Sequence, residues 1–277
     1  MIAAIIQARM NSTRLPGKAL KEILGKPVLE LLVERLRYSR RLDEIIIATT
    51  TSPADNPIEE LAERLAVKYT RGSEEDVLSR YYEAAKQFNV DHIMRITADC
   101  PLMDPVIIDH MIEAYMDINS GVTEYDYLSN TLETTFPDGL DVEIFGFGVL
   151  EKVHMMADKK YQREHVCTYI IEHPKEFRIK NFAYDKNFSG FRWTLDNPED
   201  YQLIKAIYEG LYLKKKIFLM NDILDFLEKN PQLVEINKSL KRNQGFLNSL
   251  DKENLSDAQK KEIVNNVILK RKIYEAR

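Results

Sequence analysis

The side chains with most chemical potential stand together near the start of the chain, in Gln7-Ala8-Arg9-Met10-Asn11-Ser12-Thr13-Arg14-Leu15-Pro16-Gly17-Lys18. This segment follows an apolar run, Ile2 to Ile6, that has the makings of a buried strand. Three cations, Arg9, Arg14 and Lys18, therefore sit at a strand's carboxyl end, where open α/β sheets collect their ligands. Guanidinium groups grip phosphate oxygens bidentately, Ser12 and Thr13 add hydroxyl donors, and Gly17 lets backbone come close. The pattern is that of a polyphosphate site. A merely solvated basic loop would leave three like charges repelling one another. Neither the G-x-x-x-x-G-K-[ST] loop of ATP-binding proteins nor the G-x-G-x-x-G dinucleotide fingerprint is present.

Carboxylates supply the second half of the chemistry. Asp99, in Arg95-Ile96-Thr97-Ala98-Asp99-Cys100-Pro101, follows another strand-like run, and Asp196 ends a third in Arg192-Trp193-Thr194-Leu195-Asp196-Asn197-Pro198. Each alone reads as a helix cap or turn residue. Paired beside a phosphate loop, they suit Mg²⁺, which takes one or two carboxylates and completes its octahedron with phosphate and water. A third acidic group lies in Phe136-Pro137-Asp138-Gly139-Leu140-Asp141-Val142-Glu143. Strand alternation would put Asp141 and Glu143 on one face, to bind acceptor hydroxyls or join the metal shell. Arg163 and His165 could receive an acidic or phosphorylated acceptor, or simply open a helix with an exposed ion pair. The other four histidines have no zinc spacing.

Composition narrows the class. A formal charge of −5, from 39 basic and 44 acidic side chains, creates no field for nucleic acid or an anionic membrane. Two cysteines without ligand spacing argue against a disulfide framework. The opening apolar run stops at Gln7, too short for a signal peptide, and no run reaches the ~18 residues of a membrane span. A soluble, cytoplasmic protein is expected.

Strand and helix signals alternate over the first hundred residues, which predicts parallel strands. Strands are expected at 2–7, 44–50, 67–70 and 92–96, with helices at 27–37, 58–65, 77–88 and 105–115. Strands at 127–131, 141–145 and 191–194 and a helix at 163–172 follow. After Pro198 only helices are expected, at 199–212, 221–229, 233–241 and 255–274. The last has an apolar face suited to packing or dimerisation. The division is an α/β domain over 1–212 and a helical extension over 213–277.

Together these segments resemble the SpsF family of spore coat polysaccharide biosynthesis, within the superfamily of CMP-sugar synthetases acting on KDO and acylneuraminate. The matching blocks are Ile6 to Arg9, Ser12 to Lys18, Arg71-Gly72-Ser73-Glu74-Glu75-Asp76, Arg95 to Pro101, Ser129-Asn130-Thr131, Pro137 to Asp141, Arg163-Glu164-His165 and Arg192-Trp193-Thr194. The resemblance implies a Rossmann-like fold of the GT-A nucleotidyltransferase type, with a mixed, mostly parallel sheet flanked by helices. It implies CTP over the first strand, its base against the backbone of residues such as Ala3 and Ile5. Triphosphate contacts fall on Arg9, Ser12, Arg14 and Lys18, and Asp99 and Asp196 match the paired metal aspartates. Arg71, Ser73 and Asp76 line the nucleotide side, with Arg95 and Thr97 nearby, while Asp138, Asp141, Glu143, Arg163, His165 and Arg192 face the acceptor. Where many CMP-sugar synthetases carry Gly-Asp or Gln-Gly-Asp, this chain has Thr97-Ala98-Asp99-Cys100-Pro101, the SpsF form.

The activity so implied is Mg²⁺-dependent transfer of CMP from CTP to an acidic sugar or related anionic acceptor. An acceptor oxygen attacks the α-phosphorus and pyrophosphate leaves. Asp141 and His165 stand equally as bases for a hydroxyl acceptor. The competing readings are a sugar-1-phosphate nucleotidyltransferase using another NTP, a GT-A-type glycosyltransferase, and a non-catalytic nucleotide-binding protein. A homodimer is compatible with all of them.

Overall fold

In a computed structural model that describes residues 1–117 and 120–269, nine short strands and twelve α-helices follow the chain. β1 (Ile2–Gln7), β4 (Glu44–Thr50), β5 (Lys68–Gly72) and β6 (His92–Thr97) are parallel neighbours, with α1 (Val28–Leu36), α2 (Asn56–Arg64) and α3 (Val77–Gln87) between them. β2 (Glu22–Ile23) and β3 (Lys26–Pro27) form a separate small hairpin. β7 (Tyr127–Ser129), β8 (Glu143–Gly146) and β9 (Ile179–Asn181) extend the main sheet, giving the order β5-β4-β1-β6-β8-β7-β9. β8 runs antiparallel to both its neighbours, so the sheet is mixed but mostly parallel.

Period-2 alternation divides the core between two faces. Ala4, Ile6, Ile45, Ile47, Met94 and Ile96 bury on one, while Ala3, Ile5, Ile46, Ala48 and Ile93 bury on the other. The first face is covered by α1, α2, α4 (Pro105–Tyr115), α8 (Pro198–Leu211) and α9 (Met220–Lys229), the second by α3 and α5 (Phe147–Met156). Phe218, Met220, Ile223 and Leu227 belong to the same core as the sheet, so the extension after residue 212 begins as an integral layer. Buried Arg35 fastens that layer down by donating to the carbonyls of Leu102, Met103 and Phe218.

Chain order proceeds outward from β1 to β4 and β5, then returns to β6 on β1's other side. The β1/β6 boundary is thus the topological switch point, where the loops after two strands diverge and leave a crevice.

Several expected elements differ. The span 163–172 is two helices, α6 (Lys160–Glu164) and α7 (Thr168–Glu172), because Val166 takes a left-handed φ of 46° between them. Residues 191–194 make one bridge, Asp138 to Arg192, instead of a strand. The helix expected over 233–241 is only α10 (Pro231–Val234). That expected over 255–274 is α12 (Asp257–Val264) with a π-helical turn, Asn265–Leu269, and its remainder lies outside the described residues.

Gly139 holds the bridge in place. At φ +107°, a Cβ there would meet Thr194 N and Trp193 C at 2.5 Å, and the Trp193 amide donates to the Asp138 carbonyl at 2.6 Å. Replacing Gly139 by alanine combines backbone strain with a collision. The expected cost is about 3 kcal/mol, seen as a lower urea midpoint at unchanged slope; an unchanged midpoint contradicts it.

Candidate active site

The crevice over the switch point is a cavity of about 350 Å³, lined by Arg9, Ser12, Thr13, Arg14, Lys18, Arg95, Thr97, Asp99, His165 and Asp196 among others. Its basic loop folds back on itself. Ser12 and Gly17 both donate to the Met10 carbonyl, and Gly17 takes φ +69°. The buried carboxylate of Asp55 accepts from the Met10 amide at 2.7 Å and from the Thr50 hydroxyl, fixing the loop to the end of β4.

Asp196 reaches Asp99 across the sequence by backbone contact. The Leu195 amide donates to the Asp99 carbonyl at 2.7 Å, and the Thr194 hydroxyl donates to the same oxygen at 3.2 Å. Fully buried Asp200, in the first turn of α8, accepts from the amides of Asp196 and Asn197 and from Arg192. The side chains then converge on one cation. Lys18 Nζ lies 2.6 Å from Asp99 Oδ2 and 2.8 Å from Asp196 Oδ1, and Arg14 is 2.7 Å from Asp196 Oδ2.

This charge balance sets the protonation states. Burial opposes the charge on Asp99, but the Lys18 ammonium and the Lys18 and Thr97 hydrogen bonds outweigh it and hold the carboxyl at about 2. Burial likewise opposes the Lys18 charge, yet the two aspartates raise its pKa. Two hard anionic oxygen donors share one cation, the Lys18 ammonium. No group of three or more His, Cys, Asp or Glu among the described residues could hold a metal.

A contiguous cavity of about 250 Å³ shares Arg14, Arg95, Asp99, His165 and Asp196, and is also lined by Asp138, Asp141, Arg192 and Asn243 to Phe246. Arg192 ties Asp138 at 2.8 Å to Asp200 at 2.9 Å, and Arg242 ion-pairs with Asp141. Burial and neighbouring Asp141 push the Asp138 carboxyl up to about 7, against the pull of Arg242 and Arg192. A third cavity, about 370 Å³, adjoins the first at Arg9, Val77, Glu164 and Lys252 and is lined by Glu74, Glu75, Asp76, Tyr161 and Arg163.

Several expected site residues lie elsewhere. Ala3 and Ile5 are fully buried in the sheet core, with their backbones paired on both sides by β4 and β6; Gln7 and Ala8 line the cleft in their place. Arg71 braces the loop after β4, bonding the carbonyls of Thr50 and Ser52 and the carboxylate of Glu59, and Ser73 accepts from the Asp76 amide. Neither lines the three cavities. Asp76 caps α3 and pairs with Arg163, which places Arg163 in the third cavity, away from Asp138 and Asp141. Asp141 precedes β8 and faces the second cavity, whereas Glu143 turns inward to Arg95 and Tyr127, so the shared-face expectation fails.

Residues not foreseen come from the C-terminal extension. Arg242 and α11 (Gln244–Asp251), with Lys252 after it, bring Gly245, Asn248 and Lys252 to the main cleft. The segment docks through Ser249 Oγ, 2.9 Å from His165 Nε2, and Phe246, packed edge-on against His165 and Tyr161.

A Rossmann-like sheet with phosphate-directed cations and paired aspartates at its switch point defines the nucleotidyltransferase class. The comparisons agree. A family model described as "Cytidylyltransferase" matches residues 3–263. The chain is 33% identical over 237 residues to spore coat polysaccharide biosynthesis protein SpsF of Bacillus subtilis, covering 83% of this chain and 95% of that one. It is 37% identical over 111 residues to a 3-deoxy-manno-octulosonate cytidylyltransferase of Geobacter metallireducens, covering 40% and 43%. A solved cytidylyltransferase from Leptospira borgpetersenii superposes with a TM-score of 0.79 at 34% identity, over 87% and 98% of the two chains. The chain belongs to the cytidylyltransferase family.

His165 gives a stability test. Burial, and secondarily Arg95, lowers its pKa from 6.5 to about 3, so the folded protein keeps it neutral. Between those values the unfolded chain binds a proton that the folded one refuses, and stability falls as pH falls. His165→Gln should flatten the slope of unfolding free energy between pH 6 and 4 by up to ~1.4 kcal/mol per pH unit. An identical slope in urea titrations of both proteins contradicts this.

Proposed function

We propose that this enzyme transfers CMP from CTP to an acidic sugar or a related anionic acceptor, releasing pyrophosphate, with Mg²⁺ as its metal. The single observation that carries the reading is the convergence of Asp99, Asp196 and Lys18 at the mouth of a phosphate-directed loop. The family description supports the cytidine nucleotide, and the names of the Bacillus and Geobacter relatives support a sugar acceptor of surface polysaccharide.

On this reading the triphosphate lies over the Arg9–Lys18 loop, with Arg9, Arg14, Lys18 and the Ser12 hydroxyl directed at its oxygens. Thr97 and Arg95 face the same cleft from β6. The base and ribose extend toward the third cavity, beside Asp76 and Val77. The acceptor occupies the second, among Asp138, Asp141, His165 and Arg192. Asp99 and Asp196 would hold Mg²⁺, which when bound supplies charge neutralisation at the phosphates and a template for the reacting oxygens.

An acceptor oxygen attacks the α-phosphorus, a new P–O bond forms, and the bond to the β-phosphate's bridging oxygen breaks. Pyrophosphate leaves with that electron pair. Arg14 and Lys18 stabilise the charge that develops on the leaving group, which requires them to exchange their aspartate partners for phosphate oxygens. His165 is committed to Ser249 and Asp141 to Arg242, so neither is a free base in this state. Asp138 is likewise held by Arg192 and Arg242, so a hydroxyl acceptor needs one of these pairs to open before a carboxylate can take its proton.

Residues 1–212 supply the metal groups and most of the nucleotide contacts, and residues 243–252 of the extension complete the walls. We further propose a cytoplasmic enzyme, where CTP is made; no helix among the described residues is long and apolar enough to cross a membrane. Exposed Met155 and Met156 at the end of α5 offer a homodimer contact.

Pyrophosphate release from CTP, ATP, GTP and UTP with Mg²⁺, against ulosonic acids, nonulosonic acids and sugar phosphates, tests the reading. Acceptor-dependent release with CTP alone is expected; release with another NTP alone, or none from any pair, overturns it. Asp99→Asn and Asp196→Asn should each lower kcat at least ~10²-fold with a native circular dichroism spectrum. Full turnover in either removes the metal assignment.

A further inference from the structure

The charges around the main cleft divide into two kinds. Lys18 and Arg14 are held by Asp99 and Asp196, and Arg95 is held by Glu143. Lys252 and Arg9 line the same cleft without an ion pair among the described residues. Arg9 makes only a long contact, 3.5 Å, to the Glu74 carbonyl, and it faces buried Arg80, a like charge. The Lys252 ammonium makes no hydrogen bond with any described residue, although its side chain borders both the main cleft and the third cavity.

The position of Lys252 is built. It follows α11, and its amide donates to the Ser249 carbonyl at 3.2 Å. Ser249 is buried and bonded to His165, Phe246 packs on Tyr161 and His165, and buried Leu250 joins the same small cluster. One residue further on, the Glu253 carboxylate accepts from the Tyr161 amide at 2.9 Å. The segment on both sides of Lys252 is therefore anchored to α6 and His165, while its side chain borders the two cavities that Arg9 also lines. An exposed cation that borders both cavities without an ion pair among the described residues is placed to meet an anion, and the chemistry that fits is a nucleotide's phosphate chain reaching from one cavity to the other.

We propose that Lys252 is a nucleotide-binding residue that contacts the triphosphate directly, making α11 the fourth wall of the CTP site. This rests on the CTP reading given above. The Arg9–Lys18 loop then supplies most of the phosphate contacts, and the C-terminal extension adds one charge. A helical tail outside the strand-and-loop motifs thus sets nucleotide affinity.

The test is equilibrium binding of CTP and of cytidine, with Mg²⁺ and no acceptor, to the full-length protein and to Lys252→Ala and Lys252→Arg. Lys252 is exposed at a helix end, so matching melting temperatures confirm that the variants fold. Lys252→Ala should bind CTP roughly tenfold more weakly, as expected for loss of one charge-assisted contact, with cytidine changed less than twofold. Lys252→Arg should stay within threefold of the parent for CTP. Equal CTP affinity in Lys252→Ala, or an equal loss for CTP and cytidine, overturns the assignment while leaving the CTP reading intact. Failure of the unmodified protein to bind CTP at all overturns both.

Discussion

One ammonium group between two carboxylates organises this protein. Lys18 comes from the loop after β1, Asp99 from the loop after β6, and Asp196 from the turn before α8, yet all three meet within hydrogen-bonding distance. Removing Lys18 would leave Asp99 without an ion-pair partner, and removing Asp196 would leave Arg14 without one, which is costly in a low-dielectric site. The surroundings are arranged to hold that meeting. Asp55 secures the basic loop, Arg35 secures the loop after Met103, and Asp200 gathers Arg192 and the amides of Asp196 and Asn197. Placing this set at the β1/β6 switch point is what the parallel half of the sheet accomplishes.

The regular half of the fold was legible because its strands are buried on both faces and its helices carry clean apolar stripes. Glu44–Thr50 and Pro105–Tyr115 coincide with their expected limits, and β1 does as well. Legibility declined where local pattern yields to tertiary context. Val166 adopts a left-handed conformation that nothing in its side chain announces, so one expected helix became two. The run 191–194 resembles a strand, but it sits against Asp138 by a single bridge, its Phe191 amide turns back to the Phe188 carbonyl, and the Thr194 hydroxyl donates to the Asp99 carbonyl. α5 and β9 were not foreseen at all; α5 opens with Phe147-Gly148 and has no side-chain cap.

Site residues divide along the same line. Residue type and strand-end position placed Arg9, Ser12, Arg14, Lys18, Thr97, Asp99 and Asp196 in one cavity. Alternation misplaced Glu143, because β8 starts at that residue and Asp141 lies outside the strand's period. Ala3 and Ile5 were assigned to the base although a central strand has no backbone groups left to offer. Arg71 and Arg163 lie in blocks shared with the family, and here both are braces. Arg242 and Lys252 could not be found by motif, since an isolated cation in a charged tail carries no positional signal. Their role follows from how α11 packs on α6.

The second cavity differs in character from the main cleft. Its arginines are already committed to carboxylates, so it is a network of satisfied ion pairs surrounding a polar cavity. Such a network gives directional hydrogen bonds and a fixed shape, which favours selection by hydrogen bonding over simple charge attraction. The central claim remains the paired aspartates. The most direct measurement is an anomalous difference map from crystals grown with CTP and Mn²⁺. The account predicts a manganese peak within coordination distance of both Asp99 and Asp196, with nucleotide phosphates along the Arg9–Lys18 loop. A peak elsewhere, or nucleotide bound outside this cleft, would contradict it.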